Sequence, residues 1–457
     1  MKTTMYASRR QVLAGGIAAA ALATLAACGS DKKDTSATGG SDTTGGSGAA
    51  GSGEVVKITY WHRLPDKEGM TKVDDVVAQW NQANPGIQVT AKKFDGKADE
   101  SYAKIAQAVK SGDAPDLAQV GYGEIAAEFL AGDLEDVSAQ FKEGGYEKNY
   151  AAGPMAQCKL DSVVVGLPQD TGPLVYIYDK AAFDALGIKV PTTWAELKEA
   201  AKTAKASGKY IASWQGDEVG YLMSGQAAAA GASWYTPEGT TWKVDCNSEI
   251  SKKVATVYQE LLDEGLIFVP SDGRWGDAFG AALKDGSLIG TVAAGWEPGF
   301  ILGDLGVTET KWQVAYLPKF DGVTKDATGA DGGSAIAVIK GCKHPAEALK
   351  FADWFNQQIP ALVSQGLVVA ATTGKPETPE ALKKLWGGQD VFGFLAEANA
   401  TMNPNFPYAP TWPKVTSAMA EVGGNVTLGS AKVADIFSKA QETSLTTLKA
   451  QGISVKE

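Results

Sequence analysis

The chain has little of what metal, thiol and nucleic-acid chemistry require. Its 457 residues include two histidines, His62 and His344, and four cysteines. Two imidazoles are too few for a His-rich metal site, and the cysteines show no zinc-ligand spacing. Positive charge is also scarce: 42 Lys and Arg stand against 53 Asp and Glu, a formal net charge of −11. Nucleic acid and anionic membranes need a basic face, so neither is expected as the main partner. There is no Gly-x-Ser-x-Gly elbow, no P-loop ending in Gly-Lys-Ser/Thr, no His-Glu-x-x-His and no Cys-x-x-Cys. Neither a metal nor a cofactor is expected. What remains is an ordinary globular composition, 44% hydrophobic and 21% charged.

The first 53 residues do not read as fold. Lys2, Arg9 and Arg10 precede an uncharged stretch, 11–27, which has the build of a secretion signal. Ser8-Arg9-Arg10-Gln11-Val12-Leu13 resembles a twin-arginine export motif, with Val12 in place of the usual Phe. Leu25-Ala26-Ala27-Cys28 resembles a bacterial lipobox, in which Cys28 is acylated and becomes the mature N-terminus. Removing 1–27 strips three positive charges and no acids, taking the net charge from −11 to −14. In 29–53, 17 of 25 residues are Gly, Ser or Thr. Such a segment buries too little to offset its ordering entropy and reads as a leash spanning about 25–30 Å.

The remaining 404 residues, 54–457, exceed what one core usually holds. Strands are expected over 55–61, 87–94, 116–120, 163–167, 174–178, 210–214, 288–296 and 334–339. Helices are expected over 73–81, 102–109, 180–186, 194–206 and 346–357, and the C-terminal third is mostly helical. Val73, Val76, Val77 and Trp80 fall on one helical face. Thr193 is the expected N-cap of 194–206, with Glu196 completing a capping box. The alternation predicts an α/β fold with largely parallel sheets.

Motifs recur in order along this body: Lys57-Ile58-Thr59-Tyr60-Trp61-His62, Asn84-Pro85-Gly86, Gly112-Asp113-Ala114-Pro115-Asp116, Gly166-Leu167-Pro168-Gln169-Asp170-Thr171-Gly172-Pro173, Pro191-Thr192-Thr193-Trp194, Ala293-Ala294-Gly295-Trp296 and Asp331-Gly332-Gly333-Ser334. The series resembles the family 1 extracellular solute-binding proteins of ABC importers, the broad group that includes maltose-binding protein. The loop 236–246 and the cysteines depart from the pattern. The resemblance implies a periplasmic-binding-protein-like fold, two α/β lobes joined by a multi-strand hinge around a ligand cleft. Lobe 1 would hold 54–169 plus 329–374, and lobe 2 would hold 170–328 plus 375–457. Gly166, Gly172 and Gly329 are the hinge candidates. It also implies a carbohydrate ligand, delivery to ABC permease subunits in the membrane, and a monomer. Cys158 and Cys342 would share a lobe, which favours that pair as a disulfide, with three reduced thiols as the alternative.

A saccharide presents C–H faces to aromatics and hydroxyl edges to carboxylates and amides. Ligands of α/β sheets gather at the carboxyl ends of strands. The candidates there are Trp61, His62, Tyr122, Asp170, Trp214, Trp275, Trp296, Glu297, Asp331, Tyr408 and Trp412. Trp80, Trp194 and Trp354 fall in helical patterns and read as core. Three rival classes use the same chemistry: a secreted glycoside hydrolase, a binder of a non-sugar solute such as a polyamine, and an adhesion or signalling lipoprotein.

Overall fold

The first strand, β1 (Val56–His62), turns Ile58, Tyr60 and His62 inward. The following helix, Val73–Ala83, buries Val73, Val76, Val77 and Trp80, the four residues its spacing puts on one face. Trp80 packs edge-on to Phe351 at 5.4 Å and tilts on Trp354 at 5.3 Å. The computed structural model describes residues 54–96, 98–238, 241–298 and 312–457. The leader, Cys28 and the leash lie outside the described residues. The described residues form one compact unit.

Strands β2 (Ile87–Lys93) and β3 (Leu117–Gly121) flank β1 in parallel. A short antiparallel pair, β4 (Lys159–Leu160) and β5 (Val163–Val164), precedes the longest strand, β6 (Gly166–Asp179). A hairpin of β7 (Tyr235–Glu238) and β8 (Thr241–Val244) occupies the loop that departs from the family pattern. The remaining strands are β9 (Gly290–Ala294), β10 (Trp312–Tyr316), β11 (Ala330–Val338), β12 (Val368–Val369) and β13 (Ser454–Lys456). The main sheet runs β10-β6-β11-β3-β1-β2, and β9 and β12 also pair with β6.

β6 is where the structure departs from the expected two strands. Residues 166–173 of β6 pair with β11, and Asp170 and Thr171 pair with β12. From Leu174 onward the same strand pairs with β9 and β10. Pro168, Gly172 and Pro173 read as a break in sequence. Here they are tolerated because the β11 register shifts beside them, between Ala330 and Gly333 and between Ser334 and Ala335. One strand thus serves two groups of strands.

The expectation of largely parallel sheets is corrected. β1 is parallel to β2 and β3, and β13 to β8, but every pairing of β6 and β11 is antiparallel. Buried strands have the same apolar composition in either direction, so pattern does not report direction. The segment 210–214 makes only isolated parallel bridges, Tyr210 to Leu288 and Ser213 to Phe268. The disulfide expectation is corrected too. Cys158, Cys246 and Cys342 are all free, the first two buried. Cys158 packs in the hydrophobic core, and Cys246 lies 3.7 Å from the Ser444 hydroxyl.

The hinge-candidate glycines are needed for close backbone approach. A Cβ on Gly172 would stand 1.9 Å from the Asp331 carbonyl oxygen, and one on Gly329 would stand 2.1 Å from that of Gly225. Positive φ occurs next door, at Gly332 (+78°) and Gly333 (+94°), inside β11.

The helix Trp194–Ala206 starts as expected, with one difference. The Thr193 hydroxyl accepts from the Glu196 N–H at 3.2 Å. Glu196 reaches back to Thr192, accepting from its N–H and its hydroxyl, each at 2.8 Å. Thr193→Ala is expected to destabilise the protein by about 1 kcal/mol in denaturant titration, with solute affinity unchanged.

Candidate functional site

The stretch Asp331-Gly332-Gly333-Ser334 of β11 joins two clusters of aromatics and carboxylates. At its start, the Asp331 carbonyl accepts the Trp296 indole N–H at 3.0 Å. Gly332 lies against that indole, where a Cβ would stand 3.2 Å from Trp296 Nε1. Gly333 lies against the Tyr122 ring and Ser334 against Asp170. Any side chain at 332 or 333 would meet both an aromatic wall and a positive φ, so glycine is dictated by the site.

The first cluster is built from the ends of β1 and β3 and the interior of β6. Tyr122 opens the helix Tyr122–Ala131 and donates its hydroxyl to the Asp170 carbonyl at 2.8 Å. The Asp170 carboxylate accepts from the Ser334 hydroxyl, which in turn accepts from Gln119 at 3.0 Å. Gln119 accepts the Arg63 backbone N–H at 2.9 Å, and Arg63 Nη2 donates to the Tyr102 hydroxyl at 3.1 Å. Burial pushes Asp170 up to about 6, against the pull of Ser334 and Arg63.

Asp170 sets a pH dependence with a definite sign. The native state holds its proton up to about pH 6, whereas the unfolded chain releases it near 4. Its stabilising contribution is complete below about pH 4 and is lost as pH rises through 6. Asp170→Asn is expected to flatten that part of the stability–pH curve. Denaturant unfolding between pH 4 and 7 checks this, and an unchanged slope counts against it.

The second cluster holds Trp275, Trp296 and the carboxylates around Arg274. Trp275 stacks on Trp296 at 5.7 Å and 30°, and donates its N–H to Glu218 at 2.8 Å. Asp331 is buried, and burial beside Glu218 and Glu297 holds its pKa well above the usual carboxylate value, with Arg274 opposing. Glu218 is pushed up to about 7, first by burial and then by Glu297.

A third group faces both. Tyr408 packs on Trp412 at 4.9 Å, and Tyr221 lies 5.7 Å from Trp412. The Tyr221 hydroxyl donates to Glu124 at 2.8 Å, and Gly123 touches both Tyr221 and Trp412. Trp412 Nε1 and Arg63 Nε are buried with no partner among the described residues. The lining therefore combines aromatic faces, carboxylate acceptors and two unspent donors. Five carboxylates, Glu124, Asp170, Glu218, Glu297 and Asp331, stand against two guanidinium groups, Arg63 and Arg274.

The structure brings together Tyr122, Asp170, Trp275, Trp296, Asp331, Tyr408 and Trp412. Three other candidates are placed elsewhere, and Glu297 is sealed inside the second cluster. Trp214 is fully buried, with its N–H spent on Thr427 at 2.9 Å and its ring near Tyr258 at 6.2 Å, so it is core, whereas the equally buried Trp412 keeps its N–H unspent. Trp61 is covered by the ammonium groups of Lys92 and Lys104, 5.6 and 5.2 Å from its ring. His62 is 2% exposed and packs 5.6 Å from Tyr60. Burial lowers its pKa below the ordinary imidazole value. Glu297 is also sealed, paired with Arg274 and accepting the Ala294 N–H at 3.1 Å. Tyr102, Tyr221, Glu218, Ser334 and Arg274 had no place among the sequence candidates. Tyr102, Tyr221 and Ser334 lie inside regular elements and Arg274 is buried, where pattern marks only core.

An α/β chain that closes aromatics and carboxylates over a β6–β11 crossing has the build of a solute-binding protein. The comparisons agree. Residues 65–358 match the family model of bacterial extracellular solute-binding proteins, and the chain belongs to that family. The galacto-N-biose/lacto-N-biose I-binding protein of the Bifidobacterium longum ABC transporter, solved with lacto-N-biose, is 50% identical, with a TM-score of 0.83 over 89% of this chain and 100% of that one. An ABC transporter-associated binding protein from B. animalis subsp. lactis Bl-04, solved with β-1,6-galactobiose, shares the fold at 24% identity, with a TM-score of 0.72 over 88% of this chain and 100% of that one. The sn-glycerol-3-phosphate-binding periplasmic protein of Agrobacterium fabrum is 25% identical over 317 residues, 66% of this chain and 70% of its own. The fold is thus periplasmic-binding-protein-like, with two α/β lobes, in a family of exported binding proteins.

Proposed function

We propose that the protein captures a short saccharide, a disaccharide of the lacto-N-biose type, between its lobes and hands it to an ABC permease. The carrying observation is the Asp331–Ser334 stretch, which sets Trp296, Asp331, Tyr122 and Asp170 side by side. Similarity to the B. longum protein supports the ligand class. Lobe 1 is proposed as 54–169 plus 329–374 and lobe 2 as 170–328 plus 375–457. Trp275 and Trp296 then offer faces to the sugar, with Tyr408 beside them backed by the fully buried Trp412. Asp331 and Glu124 accept from its hydroxyls, and the Trp412 and Arg63 N–H groups donate. Micromolar affinity, about −8 kcal/mol, suits such a cleft. The protein acts as a monomer without catalysis, anchored through acylated Cys28 and free to move on its leash. ATP is spent by a separate subunit.

The scarcity of unpaired cations decides between ligand classes. An anion such as sn-glycerol 3-phosphate meets two arginines, of which Arg274 is already paired with Glu297. Lacto-N-biose is expected to raise the thermal midpoint and sn-glycerol 3-phosphate to leave it unmoved, since only a ligand of the native state shifts it. A shift with a polyamine and none with any saccharide overturns the sugar reading.

A further inference from the structure

The loop carrying Trp275 rests on a guanidinium that solvent does not reach. Arg274 is 0% exposed. Its Nη2 donates to the Glu297 carboxylate and to the Val292 carbonyl at 3.3 Å, and its Nη1 donates to Ser213 at 3.3 Å. The guanidinium lies 4.1 Å from the Phe279 ring and 5.7 Å from the Trp275 ring. Its backbone N–H donates to both oxygens of Asp217, at 3.1 and 3.2 Å. Glu297 is fixed in turn by the Ala294 N–H. Gly273, with φ +90°, turns the chain into this position.

Trp275 itself is 46% exposed. Burial does not hold a ring that open. It is held by Trp296 behind it, by Glu218 at its N–H and by the Arg274 cation beneath it. A dry ion pair contributes little net stability compared with apolar packing. A ring already ordered spares the binding step the cost of ordering it.

We propose that Arg274 is a positioning residue for the solute site: locked to Glu297, it holds the Trp275 indole in the stacked orientation in which Trp275 and Trp296 together meet a sugar face. The proposal rests on the saccharide reading above. The charged and titratable groups facing this pair are Glu218, Asp331 and Asp217, so Arg274→Met alone strands Glu297 in an acidic pocket and mixes folding with binding. The test is the double variant Arg274→Met/Glu297→Leu in the whole chain, which removes both charges and leaves neither orphaned.

Lacto-N-biose affinity is measured by calorimetry for the wild type, the double variant, Trp275→Ala and the triple combination. The double variant and Trp275→Ala are each expected to bind about tenfold more weakly. The triple variant is expected to be no weaker than Trp275→Ala, because Arg274 acts through that ring. The near-ultraviolet circular dichroism couplet of the stacked indoles is expected to vanish in the double variant while the far-ultraviolet spectrum stays. Wild-type affinity in the double variant or in Trp275→Ala overturns the proposal. So does a triple variant that loses the product of the two effects. The couplet needs no ligand, so the two readings fail separately. A wild type that binds no saccharide, with the couplet still lost in the double variant, sinks the sugar reading and leaves the positioning role. An unchanged couplet sinks the positioning role whatever the wild type binds.

Discussion

Replacing Trp296 with alanine is expected to weaken lacto-N-biose binding by about 30-fold or more, roughly 2 kcal/mol. Three losses combine in this change. The ring face offered to the sugar goes. Trp275 loses the partner it stacks on at 5.7 Å. The Asp331 carbonyl loses the N–H it accepts at 3.0 Å, beside the two positive-φ glycines, so the stretch that joins the clusters loosens. Large aromatic anchors dominate binding energy when well packed, and Trp296 is half-buried and bonded at its edge. Titration calorimetry decides the matter: a dissociation constant within about threefold of wild type removes Trp296 from the site.

Gly123→Ala should have the larger effect, by a different route. A Cβ at this position would stand 2.4 Å from the Tyr221 hydroxyl and 2.6 Å from Trp412 Cδ1. A real Cβ does not approach other atoms that closely, so the helix Tyr122–Ala131 and the two aromatics must move apart. The Tyr221–Glu124 bond at 2.8 Å is then strained or lost, and a hydrogen bond to a charged group contributes roughly 1.5–3 kcal/mol. Gly123 lies in the first turn of its helix and is not among the positive-φ glycines. Alanine there favours the helix by about 0.5–1 kcal/mol. Gly123 lies on one proposed lobe and Tyr221 and Trp412 on the other, so the clash arises only on closure, and the open, unliganded variant should keep its thermal midpoint. Its saccharide affinity should fall on the order of 100-fold, because the proposed lobes no longer close. Small-angle scattering should show no ligand-induced compaction. Wild-type affinity in this variant would mean that Gly123 does not lie on the closing surface.

The elements with clean periodicity were legible. The helix Val73–Ala83 follows its apolar spacing, and the helix Trp194–Ala206 follows its cap. The site was half legible. Trp275, Trp296 and Asp331 were visible as polar or aromatic residues at strand ends and turns. Trp214 met the same criterion and is core, because position along a strand does not say which neighbours cover its end. Thr427, which satisfies its N–H, is 213 residues away in sequence. Arg274 and Tyr221 went unseen for the complementary reason. Each acts through a partner on another element, Glu297 or Glu124.

Composition and local pattern by themselves determined the chemical class of the chain: an acidic α/β body, poor in metal ligands and rich in strand-end aromatics. Those properties depend on residue type and on neighbours within about two turns, which is the range over which hydrophobic spacing and capping act. The tertiary structure decided strand direction, the continuity of β6 through two prolines, the free state of the three cysteines, and which tryptophans stack beside Asp331. These depend on contacts between residues tens to hundreds of positions apart. Their energies come from packing and charge pairing between elements, and the linear spacing of residues carries no record of that.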